Sequence, residues 1–222
     1  MESFELIREA FDVVVHLDAH LNAIVDRFGA VTYLILFLTV FAETGLVVTP
    51  FFPGDSLLFA VGALAASGGH LRIEFLIPLL FSAAVLGDFS NYHIGFYLGP
   101  KMFRKTSARF FKVEQLERTH RFFRQYGSTS IVMARFMPVL RTFIPFVAGI
   151  GRMGYGRFIT YNLVGAALWI LVFLVGGYLF GNLDFIQENF YIVIMAIAMI
   201  SVIPGAIHLL RIRSQNRPPA IS

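Results

Sequence analysis

The sequence contains no cysteine in its 222 residues. This excludes disulfides, cysteine-ligated zinc, iron–sulfur clusters and thiol nucleophiles, and leaves the redox compartment open. Charge is also scarce: 14% of residues are charged, against about 25% in soluble domains. In its place the chain is 57% hydrophobic, with 25 phenylalanines and a single tryptophan, and its mean hydropathy is +0.71. So much apolar surface does not fit inside one small water-soluble core, which excludes disorder and a coiled coil and indicates one integral membrane domain. The opening MESFELIREAFD is acidic and leads into no cleavage-type apolar run, so it does not read as a removable signal peptide.

The few charges are sorted along the chain. Residues 1–28 carry two basic and six acidic side chains, whereas 101–126 carry eight basic and two acidic ones, and the tail adds Arg211, Arg213 and Arg217. Because lysine and arginine are retained on the cytoplasmic side, the 101–126 segment and the tail at 211–222 are expected inside. Asp184 and Glu188 then fit the outside. The 101–126 segment interleaves Phe103, Phe110, Phe111, Phe122 and Phe123 with its basic residues. A basic amphipathic helix on the anionic inner leaflet accounts for that pattern better than nucleic-acid binding does.

A spanning helix needs about 20 apolar residues. Runs at roughly 75–100, 158–180 and 190–210 qualify. Residues 30–68 are apolar but broken by Pro50, Pro53 and Gly54, and residues 128–150 are broken by Pro138 and Pro145. Proline inside a helix removes a backbone hydrogen bond and clashes with the preceding turn. Each broken stretch therefore reads as a re-entrant hairpin of two short helices. With 101–126 inside, parity makes the first hairpin enter and leave from outside, and the second from inside. Irregular backbone at membrane depth requires cover by protein or a water-filled cavity, so the two hairpins should face each other.

The predicted architecture is thus all-α. It has an interfacial N-terminal helix at 1–28, one transmembrane domain at 29–210 with three full spans and two opposed hairpins, and a cytoplasmic tail. An internal repeat agrees: each hairpin ends in an Ala/Val-Gly step at Gly62 and Gly149, and the following span ends in Gly-x3-Gly, at Gly95 and Gly99 and again at Gly177 and Gly181. Inverted repeats with broken helices are a transporter architecture. Close helix packing is an equally weighted reading of these glycines.

Five ionisable side chains lie within the apolar runs: Glu43, Asp55, Asp88, Arg135 and Arg141. A charge at the bilayer centre costs about 2.5–3.5 kcal/mol or more, so each needs a partner or a water path. Mutual neutralisation in buried ion pairs is one reading, although such pairs are weak sources of stability. The functional reading divides the roles. Arg135 and Arg141 offer planar forks matched to phosphate oxygens, and helix N-termini after Pro53 and Pro138 could add backbone donors. Glu43, Asp55 and Asp88 are candidates for proton coupling: a carboxyl can exchange a proton, and a substrate that occupies its arginine changes the balance. Asp88, Asn91 and Tyr92 share a helix face, which suits either a polar core network or a proton path. His93 points elsewhere.

Other patterns carry less. Gly149, Gly151 and Gly154 fit G-x-G-x-x-G, but no βαβ unit surrounds them, and they read as the exit turn of the second hairpin. Asp12, His16 and His20 line one helix face at metal-ligand spacing, for which a solvated interfacial face is the stronger reading. No metal, cofactor or catalytic array is expected, and so no enzyme.

Three stretches carry a resemblance: PFFPGDSLLFAVGALAASG downstream of Glu43, GDFSNYHIGFYLG, and RFMPVLRTFIPFVAGIGRMGYGRFITYNLVGAALWILVFLVGGYLFG. In this order they resemble the DedA family, the bacterial side of the VTT-domain or SNARE-associated Golgi protein group, over roughly residues 30–181. The family's acidic hairpin motif falls on Phe51, Pro53, Gly54 and Asp55, with its upstream acid on Glu43. Its arginine motif falls on Arg135, Phe136, Pro138, Arg141, Pro145, Ala148 and Gly149, and its trailing residues on Asn162 and Trp169. Within these motifs Gly87, Asn162, Gly165 and Trp169 are helix-packing candidates. The resemblance implies a multi-pass protein of the bacterial inner membrane that moves undecaprenyl phosphate or a phospholipid and depends on the proton motive force, as an oligomer or a monomer. Two alternatives are a lipid pyrophosphatase, with Mg²⁺ on Glu43 and Asp55, and a small-ion/proton antiporter.

Overall fold

The computed structural model of the chain describes residues 29–45, 54–67, 71–104 and 127–181, then 183, 186, 189, 190, 192–197 and 199, with backbone alone at 98–104, 138 and 139. The expected N-terminal helix at 1–28, Pro50, Pro53, the 105–126 part of the basic segment, most of the 190–210 run and the tail lie outside the described residues.

Among the described residues every regular element is helical. Helix α1 (Val31–Gly45) follows Gly29, whose φ is 51°. Thr32, Leu36, Val40 and Thr44, spaced four apart, form its buried stripe, as a helix packed on one face requires. Helix α2 (Gly54–Ala66) is buried almost all round. Helix α3 (Ile73–Arg104) is the long element. A 3-10 turn at Gly127–Thr129 leads into the short α4 (Ser130–Ala134). After a non-helical step the chain enters α5 (Pro138–Ile150), with Pro138 in its first turn and Pro145 inside it; a proline at the start sacrifices no helical hydrogen bond. Helix α6 (Tyr155–Ile170) passes through a π-helical turn (Leu171–Val175) into α7 (Gly176–Phe180).

Two stretches, Ile73–Tyr97 and Tyr155–Phe180, are long and apolar enough to cross a membrane. The second begins three residues earlier than the apolar run alone indicates. At 1.5 Å per residue they reach about 37–39 Å, more than the roughly 30 Å of a hydrocarbon core. Helices α1, α2 and α5, of 15, 13 and 13 residues, reach only about 20 Å. The two proline-broken runs thus each contain short helices, and the second is interrupted at Arg135–Met137.

The packing reverses the polarity of a soluble protein. Leu34, Leu38, Phe75, Leu86, Leu168 and Leu171 are exposed, while Glu43, Asp55, Asp88, Asn91, Arg135, Arg141 and Asn162 are buried. An apolar exterior around a largely apolar core that also buries these charged and polar side chains suits lipid as the solvent.

Two glycine seams hold the short helices against the long ones. A Cβ on Gly62 of α2 would strike the Leu174 carbonyl, and one on Gly177 would strike the Phe59 carbonyl. In the same way Gly149 of α5 meets the Tyr92 carbonyl, and Gly95 meets the Phe146 carbonyl. The pattern is identical: Phe59-x-x-Gly62 against Leu174-x-x-Gly177, and Phe146-x-x-Gly149 against Tyr92-x-x-Gly95. Each short helix packs on the span that does not directly follow it. Gly181 continues the first seam against Ala63, while Gly87 lies under Thr44 of α1. Gly99 lies in the backbone-only end of α3.

Candidate functional site: two buried ion-pair centres

All five buried ionisable residues expected from the apolar runs fall into two adjacent centres. In the first, Glu43 ends α1, Asp55 begins α2, and Arg141 comes from α5. The Arg141 guanidinium gives Nη2 to Glu43 Oε1 and Nη1 to Asp55 Oδ1 at 3.1 Å. Each of the three side chains is only about 4% exposed. Asp55 lies in the first turn of α2, where the helix dipole favours an anion. Glu43 accepts the Gly54 N–H at 3.1 Å, so it caps α2 from another helix. A Cβ at Gly54 would overlap the Glu43 carboxylate, so a larger residue there displaces the end of that side chain.

The second centre takes its acid from the long helix α3 rather than from α1 or α2. Arg135, at the break between α4 and α5, donates Nη2 to Asp88 of α3 and to Asn162 Oδ1 of α6 at 2.7 Å. Asn162 Nδ2 in turn donates to the Val85 carbonyl at 3.2 Å. Gly165 makes room for the arginine stem, since a Cβ there would lie 3.0 Å from Arg135 Cδ. Asn162 and Gly165 therefore do more than pack helices: they seat Arg135.

Trp169 joins the centres. Its indole N–H donates to Asp55 Oδ1 at 2.7 Å, and its ring centroid lies 4.6 Å from Arg141 Cζ and 6.0 Å from Arg135 Cζ. These distances are within cation–π range. Asn91 ties the surrounding helices together, donating Nδ2 to the Thr142 carbonyl at 2.6 Å and to the Thr44 carbonyl at 3.3 Å. Tyr92 lies off the site, its hydroxyl on the Met153 carbonyl, and His93 bonds the Phe89 carbonyl of its own helix.

Three of the backbone donors at the helix starts are otherwise engaged. Gly54 N–H goes to Glu43, and the Leu140 and Arg141 N–H groups go to the Met137 carbonyl. Spare capacity sits on side chains instead: Glu43 Oε2, Asp88 Oδ1, Asn91 Oδ1, Arg135 Nε and Nη1, and Thr142 Oγ1 are buried with no hydrogen-bond partner among the described residues. An unsatisfied buried polar atom costs about 1–3 kcal/mol, so this concentration marks a place built to meet polar groups. Of the G-x-G-x-x-G glycines, Gly149 lies within α5, whereas Gly151 and Gly154 belong to the turn after it, where Arg152 has a φ of 51°.

Buried charge inside an apolar-coated helical bundle, with two helices long and apolar enough to cross a membrane, fits a membrane protein with a buried polar centre. The VTT domain family matches residues 52–179. Over 93% of this chain and 95% of the relative, the sequence is 44% identical to Protein DedA of Escherichia coli. It is 38% identical to an uncharacterized membrane protein of Mycobacterium tuberculosis over 86% of this chain and 84% of the relative. To Inner membrane protein YqjA of Escherichia coli it is 34% identical over 68% of each chain. The chain belongs to the DedA family of membrane proteins. No solved structure matches it.

Proposed function

We propose that this chain is a non-enzymatic, proton-coupled transporter of a lipid bearing an anionic phosphate headgroup, with undecaprenyl phosphate or a phospholipid as cargo. The observation that carries the reading is the buried Arg141 fork, whose two Nη groups hold Glu43 and Asp55. A guanidinium whose two Nη groups grip two carboxylates presents the geometry that a phosphate oxygen pair takes up.

Charge balance supplies the coupling. Two guanidinium groups face three carboxyls, so in a low dielectric the balanced state holds one proton on the carboxyls. An anionic headgroup adds negative charge and draws in a proton. By linkage, a proton gradient then drives loading on one side and release on the other. A metal-dependent hydrolase or a cation antiporter fits less well, because both carboxyls of the first centre face a guanidinium cation that repels a metal ion.

The topology that goes with this reading has re-entrant hairpins at about 30–68 and 128–150, opposite in orientation, and three full spans. It lies in the bacterial inner membrane with the C-terminus inside. The short reach of α1, α2 and α5 and the two matching glycine seams support it, as do relatives named as membrane or inner membrane proteins.

The test is reconstitution. Purified protein in proteoliposomes is expected to move a labelled polyprenyl phosphate between leaflets chemically unchanged and faster under an imposed pH gradient, and E43Q is expected to lose the gradient dependence. Release of inorganic phosphate from the lipid, or a gradient dependence that survives E43Q, would overturn the reading.

A further inference from the structure

Trp169 is the only tryptophan in the chain and is completely buried. Packing accounts for its bulk but not for its orientation. The oxygen that receives its N–H, Asp55 Oδ1, is the same oxygen that Arg141 Nη1 reaches, and the guanidinium of that arginine lies over its ring. A leucine would fill the space with neither function, and a phenylalanine would keep the face but not the donor. Only tryptophan combines an in-plane N–H with a broad π face.

The consequence follows from what happens when Arg141 changes partners. A phosphate that takes the arginine fork displaces Arg141 from at least one of its carboxylates. Asp55 would then lose a charged donor in a buried setting, which is costly unless another donor stays. The indole N–H is that donor, and the ring face keeps the guanidinium in place while its hydrogen bonds are exchanged. We propose that Trp169 is a positioning residue for phosphate recognition, holding Asp55 and Arg141 in register while the arginine passes from its own carboxylates to a lipid headgroup. This deepens the transport reading and rests on it for the identity of the cargo.

Trp169 also supplies its own readout, since all tryptophan emission of the full chain comes from this site. The probe is farnesyl phosphate, a short polyprenyl monophosphate, with farnesol and inorganic phosphate as controls. Farnesyl phosphate is expected to change the emission saturably. Farnesol, which lacks the phosphate, is expected to leave it unchanged, and so is the R141K protein. In W169F, which keeps the ring face, calorimetry is expected to show a Kd for farnesyl phosphate raised by roughly tenfold. The transport KM should rise in parallel, with the maximal rate within about twofold.

Wild-type emission that ignores a bound or transported farnesyl phosphate overturns the proposal, and this measurement needs no variant. A W169F protein with unchanged Kd and KM also overturns it, reducing Trp169 to core packing. A response to inorganic phosphate equal to that of farnesyl phosphate keeps the role of Trp169 and shifts the ligand to free phosphate. Wild-type protein that binds farnesyl phosphate with the expected emission change yet never moves it between leaflets defeats transport while leaving the positioning role standing.

Discussion

The carboxylate of Glu43 occupies the space that a side chain at position 54 would need, and it takes the Gly54 N–H as it does so. The acid of one helix thus closes the start of the next, and glycine after Pro53 leaves the room that the carboxylate takes up.

Replacing Gly54 by alanine is expected to expel Glu43 from this place, breaking both its cap on α2 and its bond to Arg141. Transport should fall at least tenfold, with a stability loss of about 1–3 kcal/mol from the orphaned N–H and carboxylate. Lipid-movement assays combined with thermal unfolding of the purified protein check this. A fully active G54A protein would show that Glu43 has room to move.

Asp88 and Arg135 allow stability and function to be separated. D88N leaves a buried guanidinium without its counter-charge and is expected to cost about 3–5 kcal/mol. The double change D88L with R135M removes both charges and should recover most of that loss. Transport should stay abolished in both proteins. Recovery of transport along with stability in the double variant would make the second centre a structural staple.

The glycine seams predict a sharp contrast within a few residues. G177A and G149A each push a methyl group into a backbone carbonyl, and overpacking of this kind costs about 1–3 kcal/mol. G176A, one residue from the seam, meets nothing within 4 Å and should be neutral or slightly stabilising, because alanine favours helix by about 1 kcal/mol over glycine. Unfolding midpoints of the three variants decide the matter.

Anion binding should be linked to proton uptake. With Glu43, Asp55 and Asp88 facing Arg135 and Arg141, a bound phosphate diester favours the protonated state of a carboxyl. The Kd for dihexanoyl phosphatidylglycerol, whose own charge is constant, should therefore weaken as pH rises. The slope reaches up to about tenfold per pH unit while one proton is exchanged. Calorimetry between about pH 5 and 8 measures this slope, which E43Q should flatten. A Kd independent of pH would exclude linkage at this site.

Much of the site is legible in the sequence because an ionisable residue in an apolar run stands out on cost alone, and Glu43, Asp55, Asp88, Arg135 and Arg141 all announce themselves in that way. Their pairing is less legible. Arg135 bonds Asp88 rather than a hairpin acid, because depth and rotation are set by glycine contacts such as Gly165 and Gly87 that hydropathy does not order. Trp169 reads as a packing residue because its acceptor lies 114 positions away. The cap that Glu43 places on α2 reaches across 11 positions of sequence and matches no local capping motif. A family motif that names tryptophan and asparagine beside two arginines was the one signal that could have drawn Asn162 and Trp169 into the site.

The π-helical turn at Leu171–Val175 sets the register of everything beyond it. Trp169 and Gly177 are eight residues apart, and in an unbroken α-helix they would point about 80° apart. A π turn absorbs one extra residue, so Gly177 falls where the seventh residue of a regular helix would, almost directly along the helix from Trp169. One face of a single span can therefore touch Asp55 at one level and the Phe59 carbonyl at another, both on α2. The chain spends a surplus residue to align its polar centre with its tightest helix crossing. Deleting that residue, for instance Val172, would rotate one away from the other without altering any side chain in either.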